Sequence, residues 1–264
     1  MDFKYDVNEI FDMVKEVLGT STPKGLFCDS DVAEEGSVMP TDLWILTDFD
    51  EASGINLDET ERFKVDSGVT KLCIIPNKGK YVIKIPYTGS YEYKTEYYDD
   101  ELEDWVLIEN PVIKPYRYTS RNICDEEIFL YDEASKDLKE FIAPLEFIGF
   151  VGEVPVYIQE KIDYSFSDSP YSTVNEDEYF TDESTKSRKK FIKKYCFCTE
   201  LDTIFVDQMI KKIGFTRAKE VIGEINYDIR DLHRGNYGYI NNECKLFDIG
   251  GYSSDYWYGD KIEA

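Results

Sequence analysis

Between Tyr227 and Tyr252 the chain reads "YDIRDLHRGNYGYINNECKLFDIGGY". Asp231, Asn236 and Asp248 stand there in or beside turn-forming residues, three small side chains that offer hard oxygen atoms. Such oxygens suit Mg²⁺, which binds few protein ligands and takes water and substrate phosphates as the others. "KLFDIGG" is a short apolar strand that ends at an aspartate and two glycines, a pattern that aims the Asp248 carboxylate into a cleft while the backbone turns away. Metal-assisted phosphoryl transfer also needs a cation near the phosphates, a group that orients the attacking hydroxyl, and a cover that excludes water.

Candidates for the remaining parts lie upstream in order. "YVIKIP" is a strand carrying Lys84, whose ammonium could hold the α- and β-phosphates of a nucleotide. In "CDEEIFLYDEA", Glu127 shares a helical face with Tyr131 and Ala134, and Glu126 is the neighbouring alternative partner for that lysine. "VYIQEKI" is a further strand, containing Gln159, Glu160 and Ile162. Lysine strand, helix glutamate, strand, D-x-x-x-x-N and D-x-G follow one another as they do in kinases.

From about Phe63 to Tyr252 the chain resembles the protein-kinase-like superfamily, and its whole pattern is similar to small kinase-like proteins encoded by bacteriophages. "DLHRGN" is closer to the loop of aminoglycoside phosphotransferases and choline kinases than to that of protein kinases. The resemblance implies Asp231 as catalytic base, Asn236 and Asp248 as metal ligands, and Lys84 as the phosphate-holding lysine with Glu127 as its ion-pair partner. It also implies Gly68 as the remnant of a glycine-rich loop in "DSGVTK", Gln159 at the gatekeeper position, and the Glu160 and Ile162 backbone at the adenine edge. ATP and Mg²⁺ are the implied cofactors. The implied fold is α+β and bilobal, with an antiparallel β-rich N-lobe and a helical C-lobe. Ile229 stands where protein kinases have a histidine, while Arg230 is kept. Sixteen residues follow Asp248, so the expected C-lobe is truncated and leaves little surface for docking a peptide.

The elements that would position these residues are legible in part. "DVNEIFDMVKEVL" places Val7, Ile10, Phe11, Val14 and Leu18 at helical spacing. "LWILTDF" is an apolar run of either type. "FKVDSGVTKLCIIP" and "KYVIKIPY", separated by "NKG", read as consecutive antiparallel strands. The acidic, tyrosine-rich "TGSYEYKTEYYDDELEDW" reads as a solvated loop or hairpin extension, and "NICDEEIFLYDEASKDL" as a helix with an N-cap. Strands are expected in "LEFIGFV" and "VPVYIQEKI". Residues 163–187, polar and almost free of aliphatics, read as an acidic mobile connection and an internal boundary. Helical periodicity returns in "RKKFIKKYCFC", "LDTIFVDQMIKKIG" and "TRAKEVIGEINY". The expected organisation is therefore an N-terminal extension over 1–60, an N-lobe over 61–162, the connection over 163–187, and a C-lobe over 188–264.

Composition narrows the function classes. The 264 residues carry 54 acidic and 30 basic side chains, a formal net charge of −24, which disfavours direct binding of a nucleic-acid backbone. The single histidine, His233, leaves no Cys/His set for zinc and no Ser-His-Asp arrangement without it. Its plain reading is a capping or loop-bracing imidazole, with a direct catalytic role as the alternative. Six scattered cysteines read as reduced core residues. No apolar run approaches the length of a membrane span and no signal-peptide order opens the chain, so the expectation is a cytoplasmic protein, in the host cytoplasm if phage-encoded. Two function classes follow. One is an ATP- and Mg²⁺-dependent phosphotransferase acting on a protein or small-molecule acceptor. The other is a kinase-derived acidic binding protein that inhibits a basic host protein by presenting nucleic-acid-like charge.

Overall fold

The computed structural model describes residues 4–19, 21–23, 25–29, 38–40, 60–67, 70–93, 96–99, 102, 104–107, 113–118, 122–196, 200–229 and 232–250. These group into two compact units. One holds the described residues up to 124 together with 146–159, and the other holds 125–145 together with those from 160 onward. Mixed helices and an antiparallel sheet of five strands make the fold α+β.

The first unit begins with helix α1, Val7–Leu18. Asp6 caps it by accepting the Asn8 amide at 2.8 Å, and Gly19, at φ 68°, ends it in the left-handed conformation that glycine adopts without steric cost. Its apolar stripe, Ile10, Met13, Val14, Val17 and Leu18, shares one core with Leu72, Ile74, Ile83, Ile85, Val154, Val156 and Ile158. The helix expected to stand before the β-rich part therefore braces it. The five-stranded sheet runs β10-β11-β5-β4-β3, built from β3 (Phe63–Ser67), β4 (Lys71–Pro76), β5 (Tyr81–Pro86), β10 (Leu145–Val151) and β11 (Val154–Glu160). The expected hairpins are present, with Lys64 opposite Ile75 and Cys73 opposite Lys84. Gly152 turns β10 into β11 at φ 59°, and a Cβ there would lie 2.3 Å from the Pro23 carbonyl oxygen.

A second sheet of this unit orders β1 (Leu26–Asp29), β2 (Val38–Pro40), β6 (Gly89–Tyr93) and β9 (Ile113–Tyr118) as β2-β1-β6-β9, with β1 parallel to β6. The acidic tyrosine-rich stretch supplies β6 and a separate hairpin of β7 (Glu96–Asp99) and β8 (Asp104–Leu107). "LWILTDF" lies outside the described residues.

In the second unit the helix expected over "NICDEEIFLYDEASKDL" divides into α2 (Ile123–Glu133) and α3 (Lys136–Lys139), because Ser135 leaves helical geometry and caps α3 through the Leu138 amide. Asn122 plays the expected capping part for α2, accepting the Cys124 amide at 2.9 Å. Most of α2 and all of α3 group with the helical unit, not with the strands that precede them. Next come β12 (Tyr164–Ser165), α4 (Glu176–Tyr179), α5 (Glu183–Tyr195), α6 (Thr203–Ile213), α7 (Phe215–Asp228), β13 (Tyr237–Ile240) and β14 (Glu243–Leu246). The three strands form one sheet, β12-β13-β14.

Residues 163–187, expected as a mobile connection, differ from that reading. They carry β12, α4 and the start of α5, and their apolar residues are mostly aromatic: Phe166 and Phe180 are buried in a core with Phe205, Met209, Val221, Ile225 and Leu246, and Val174 packs against it. Serine and aspartate side chains close the turns locally, Ser165 on Asp168 at 2.6 Å and Ser169 on the Phe166 carbonyl at 2.7 Å. Among the described residues no helix is long and apolar enough to cross a membrane.

Candidate functional site

The β13–β14 hairpin is the frame of the carboxylate-rich stretch. Its turn residues Asn241 and Asn242 have φ of 51° and 63°, the left-handed pair that tight hairpins require and asparagine tolerates. Tyr237, Gly238, Tyr239 and Ile240 are all buried. A Cβ on Gly238 would sit 2.2 Å from the Tyr164 carbonyl oxygen, so glycine is what lets β12 pair with β13. Tyr237 roots the hairpin. Its hydroxyl accepts the Asp202 amide at 3.1 Å and donates to the Glu200 carbonyl at 3.3 Å, while its ring packs against Phe166 and Phe205.

The pairing of Tyr237 with Leu246 sets what stands at the open end. There the Phe247 amide donates to the Asn236 carbonyl at 2.9 Å, and the Asn236 amide donates to the His233 carbonyl at 2.8 Å. Asn236 and Asp248, twelve positions apart in the sequence, are thereby brought to one end of one hairpin. Asp248 has φ 57°, uncommon for a residue with a side chain and costing about 1 kcal/mol or more. Buried Ile249 and Gly250 follow it. Such strain persists where surrounding structure imposes it, and it clusters at functional sites.

An amide oxygen and a carboxylate are hard donors that fit Mg²⁺. Among the described residues no group of three or more His, Cys, Asp and Glu side chains could hold a metal ion. Mg²⁺ held by two such donors would complete its shell with water and phosphate oxygens.

Loop residues 232–236 are tied down from several sides. His233 Nδ1 accepts the Gly235 amide at 3.0 Å, which places the imidazole proton on Nε2 and matches a loop-bracing role. A Cβ on Gly235 would lie 2.7 Å from the same ring. Arg234 donates to Asp202 at 2.8 Å, its guanidinium lies 5.5 Å from the Phe166 ring centroid, and its carbonyl accepts from the Ser167 hydroxyl at 3.3 Å. Asp202 also caps α6 through the Ile204 amide at 2.9 Å. One carboxylate thus joins the start of a core helix to the loop. Sequence reasoning missed Asp202, although Asp before "TIFV" is an N-cap signal, and it missed Tyr237 and Gly238, whose signal lies only in the sheet register.

Beside this loop lies a cavity of about 620 Å³, with Ile192, Cys196, Leu201 and Val206 as its apolar wall and Glu176, Lys193, Asp202 and Arg234 among its polar groups. Burial works to raise the Glu176 pKa, but hydrogen bonds from Thr203, Lys189 and Lys193 together outweigh it and bring the carboxyl down to about 2. The Cys196 thiol is pushed up by burial.

The other expected site residues fall as follows. Lys84 lies on β5, only 4% exposed, and Gln159, 3% exposed, lies on the adjacent strand β11. Glu160 closes β11, and Ile162 follows it. Glu127 lies on α2 in the other unit and is 1% exposed, whereas Glu126 is half-buried. Charged side chains are rarely so buried without a compensating partner, a property that Lys84 and Glu127 share with Lys71 and Asp207 among the described residues. Asp231 and Gly68 lie outside the described residues. Compared with protein families, curated proteins and solved structures, the chain matches none.

Proposed function

We propose that the chain is an ATP- and Mg²⁺-dependent phosphotransferase with a protein-kinase-like, bilobal arrangement. The observation that carries this reading is the convergence of Asn236 and Asp248 at one end of the β13–β14 hairpin through the Phe247 amide, with Asp248 held at positive φ. Mg²⁺ bound there would neutralise charge on the transferring phosphate. Asp231, five residues before Asn236, would orient the acceptor hydroxyl and accept its proton as the new P–O bond forms and ADP leaves. Lys84 would offset charge on the α- and β-phosphates, with Glu127 as its partner, Gly68 near the phosphates, and Gln159, Glu160 and Ile162 toward the base. Bracing of the loop by Asp202 and His233 supports the reading, because catalysis of this kind rests on positioning.

The acceptor is a protein or a small molecule with a hydroxyl group. Turnover of γ-labelled ATP by the wild type and by Asp231→Asn is the test. The proposal expects slow Mg²⁺-dependent release of labelled phosphate, reduced at least about a hundredfold by the substitution while nucleotide still binds. Equal release from both proteins would overturn it. The net charge of −24 favours one second reading, an acidic protein that binds a basic host protein without using the cleft. In that case Asp231→Ala leaves partner binding intact and charge reversal across the acidic stretches removes it.

A further inference from the structure

The acidic chain contains one strongly basic stretch. Between Lys186 and Lys219 stand ten Lys and Arg residues against three Asp and Glu. Several are committed to partners: Arg188 and Lys211 to the buried Asp207, Lys189 and Lys193 to Glu176, Arg217 to Asp137, and Lys212 to Glu243. Lys190, Lys194 and Lys219 are exposed and make no ion pair among the described residues.

Lys194 and Lys219 stand over an aromatic floor, and Lys190 lies one helical turn before Lys194 on the same side of α5. Phe191 packs against Tyr195 at 5.1 Å and against Phe215 at 4.6 Å between ring centroids, which joins the last turns of α5 to the first residue of α7. Tyr195 and Phe215 are each 44% exposed. Lys194 and Lys219, from different helices, both stand over the Tyr195 ring, 4.8 and 5.5 Å from its centroid. The cation–π contacts hold the two ammonium groups at the patch and leave their other N–H bonds for an incoming anion. Glu220 is the one acidic neighbour in sequence of Lys219.

The ring geometry discriminates between anionic partners. Nucleobases bind single-strand surfaces by stacking on open aromatic faces. Here Tyr195 carries lysines over its ring, and Phe191 and Phe215 meet edge to face at 68°. The net charge of −24 repels every anionic partner in proportion to its charge, most of all a continuous phosphate backbone, and three cations release few counterions from such a backbone. Carboxylates on a flexible protein segment fit better. They need only the lysines at short range, and an apolar side chain between them finds the Phe191–Tyr195–Phe215 floor.

We propose that the face formed by the end of α5 and the start of α7 docks an acidic protein segment, with carboxylates on Lys190, Lys194 and Lys219 and an apolar anchor against Tyr195 and Phe215. The test uses the full chain and fluorescence anisotropy of a labelled peptide of alternating Glu and Leu. A Gln and Leu peptide, an oligothymidylate and phosphatidylserine-containing vesicles run in parallel. The acidic peptide should bind in a salt-sensitive way, and Lys190→Glu, Lys194→Glu and Lys219→Glu together should weaken it at least about tenfold. The corresponding three Lys→Gln changes should weaken it less, and the other probes should bind more weakly than the acidic peptide. Failure of the acidic peptide to bind, equal binding by charge-reversed protein of native circular dichroism, or tighter binding of the oligonucleotide or the vesicles would each overturn the proposal.

Discussion

Replacing Asp202 tests whether the candidate loop and the helical core share one anchor. Among the described residues the carboxylate makes two contacts, the cap on the Ile204 amide at 2.9 Å and the pair with Arg234 at 2.8 Å. Loss of an aspartate cap costs about 1 kcal/mol. The ion pair contributes about 0.5 kcal/mol, discounted because the Arg234 side chain is 55% exposed. Asp202→Ala should therefore destabilise by about 1.5 kcal/mol. Asp202→Asn, which keeps a good capping residue and removes only the charge, should cost about 0.5 kcal/mol. Urea unfolding followed by far-ultraviolet circular dichroism reads both as shifts in midpoint. Arg234→Ala supplies the third corner: it should add less on the Asp202→Ala background than on the wild type, with a coupling of about 0.5 kcal/mol. Equal costs for Ala and Asn at 202, or full additivity with Arg234→Ala, would refute the two-contact account.

Two further outcomes follow from the same unit. Gly238→Ala pushes a Cβ to 2.2 Å from the Tyr164 carbonyl oxygen and 2.8 Å from Ser165 Cα, backbone atoms that cannot rotate away. A loss of about 3 kcal/mol is expected, read as a fall in thermal midpoint, and an unchanged midpoint would show that β12 does not pair as described. Glu176 has its pKa lowered from 4.5 to about 2, so its contribution to stability is complete above pH 4.5 and is lost as the pH falls through 2. Glu176→Gln should flatten the acid dependence of the melting temperature in that window, and identical acid profiles for the two proteins would contradict the assignment.

Several elements were legible because one physical signal determined them. The stripe on α1 lies at helical spacing and is the face that is buried, and the glycine after Ile213 ends α6 as expected. The stretch 163–187 differs from its expectation because aliphatic content is a poor measure of burial where Phe166, Tyr179 and Phe180 supply the apolar surface. Asp231, Asn236 and Asp248 stand out in the sequence as candidates by type and spacing. The bond from Phe247 to the Asn236 carbonyl was not legible, because it depends on the strand register that pairs Tyr237 with Leu246. Asp207, fully buried beneath Arg188, Lys211 and Tyr179, looked like any polar residue of an amphipathic helix, since only tertiary contact distinguishes a buried ion pair from a solvated one.

The central claim concerns nucleotide and metal at Asn236 and Asp248. Calorimetric titration of ATP into the wild type and Asp248→Asn, each with and without Mg²⁺, tests it most directly. The account predicts Mg²⁺-dependent binding to the wild type that the substitution weakens at least about tenfold by removing a charged metal ligand. Absence of binding to the wild type, or binding indifferent to both Mg²⁺ and the substitution, would contradict it.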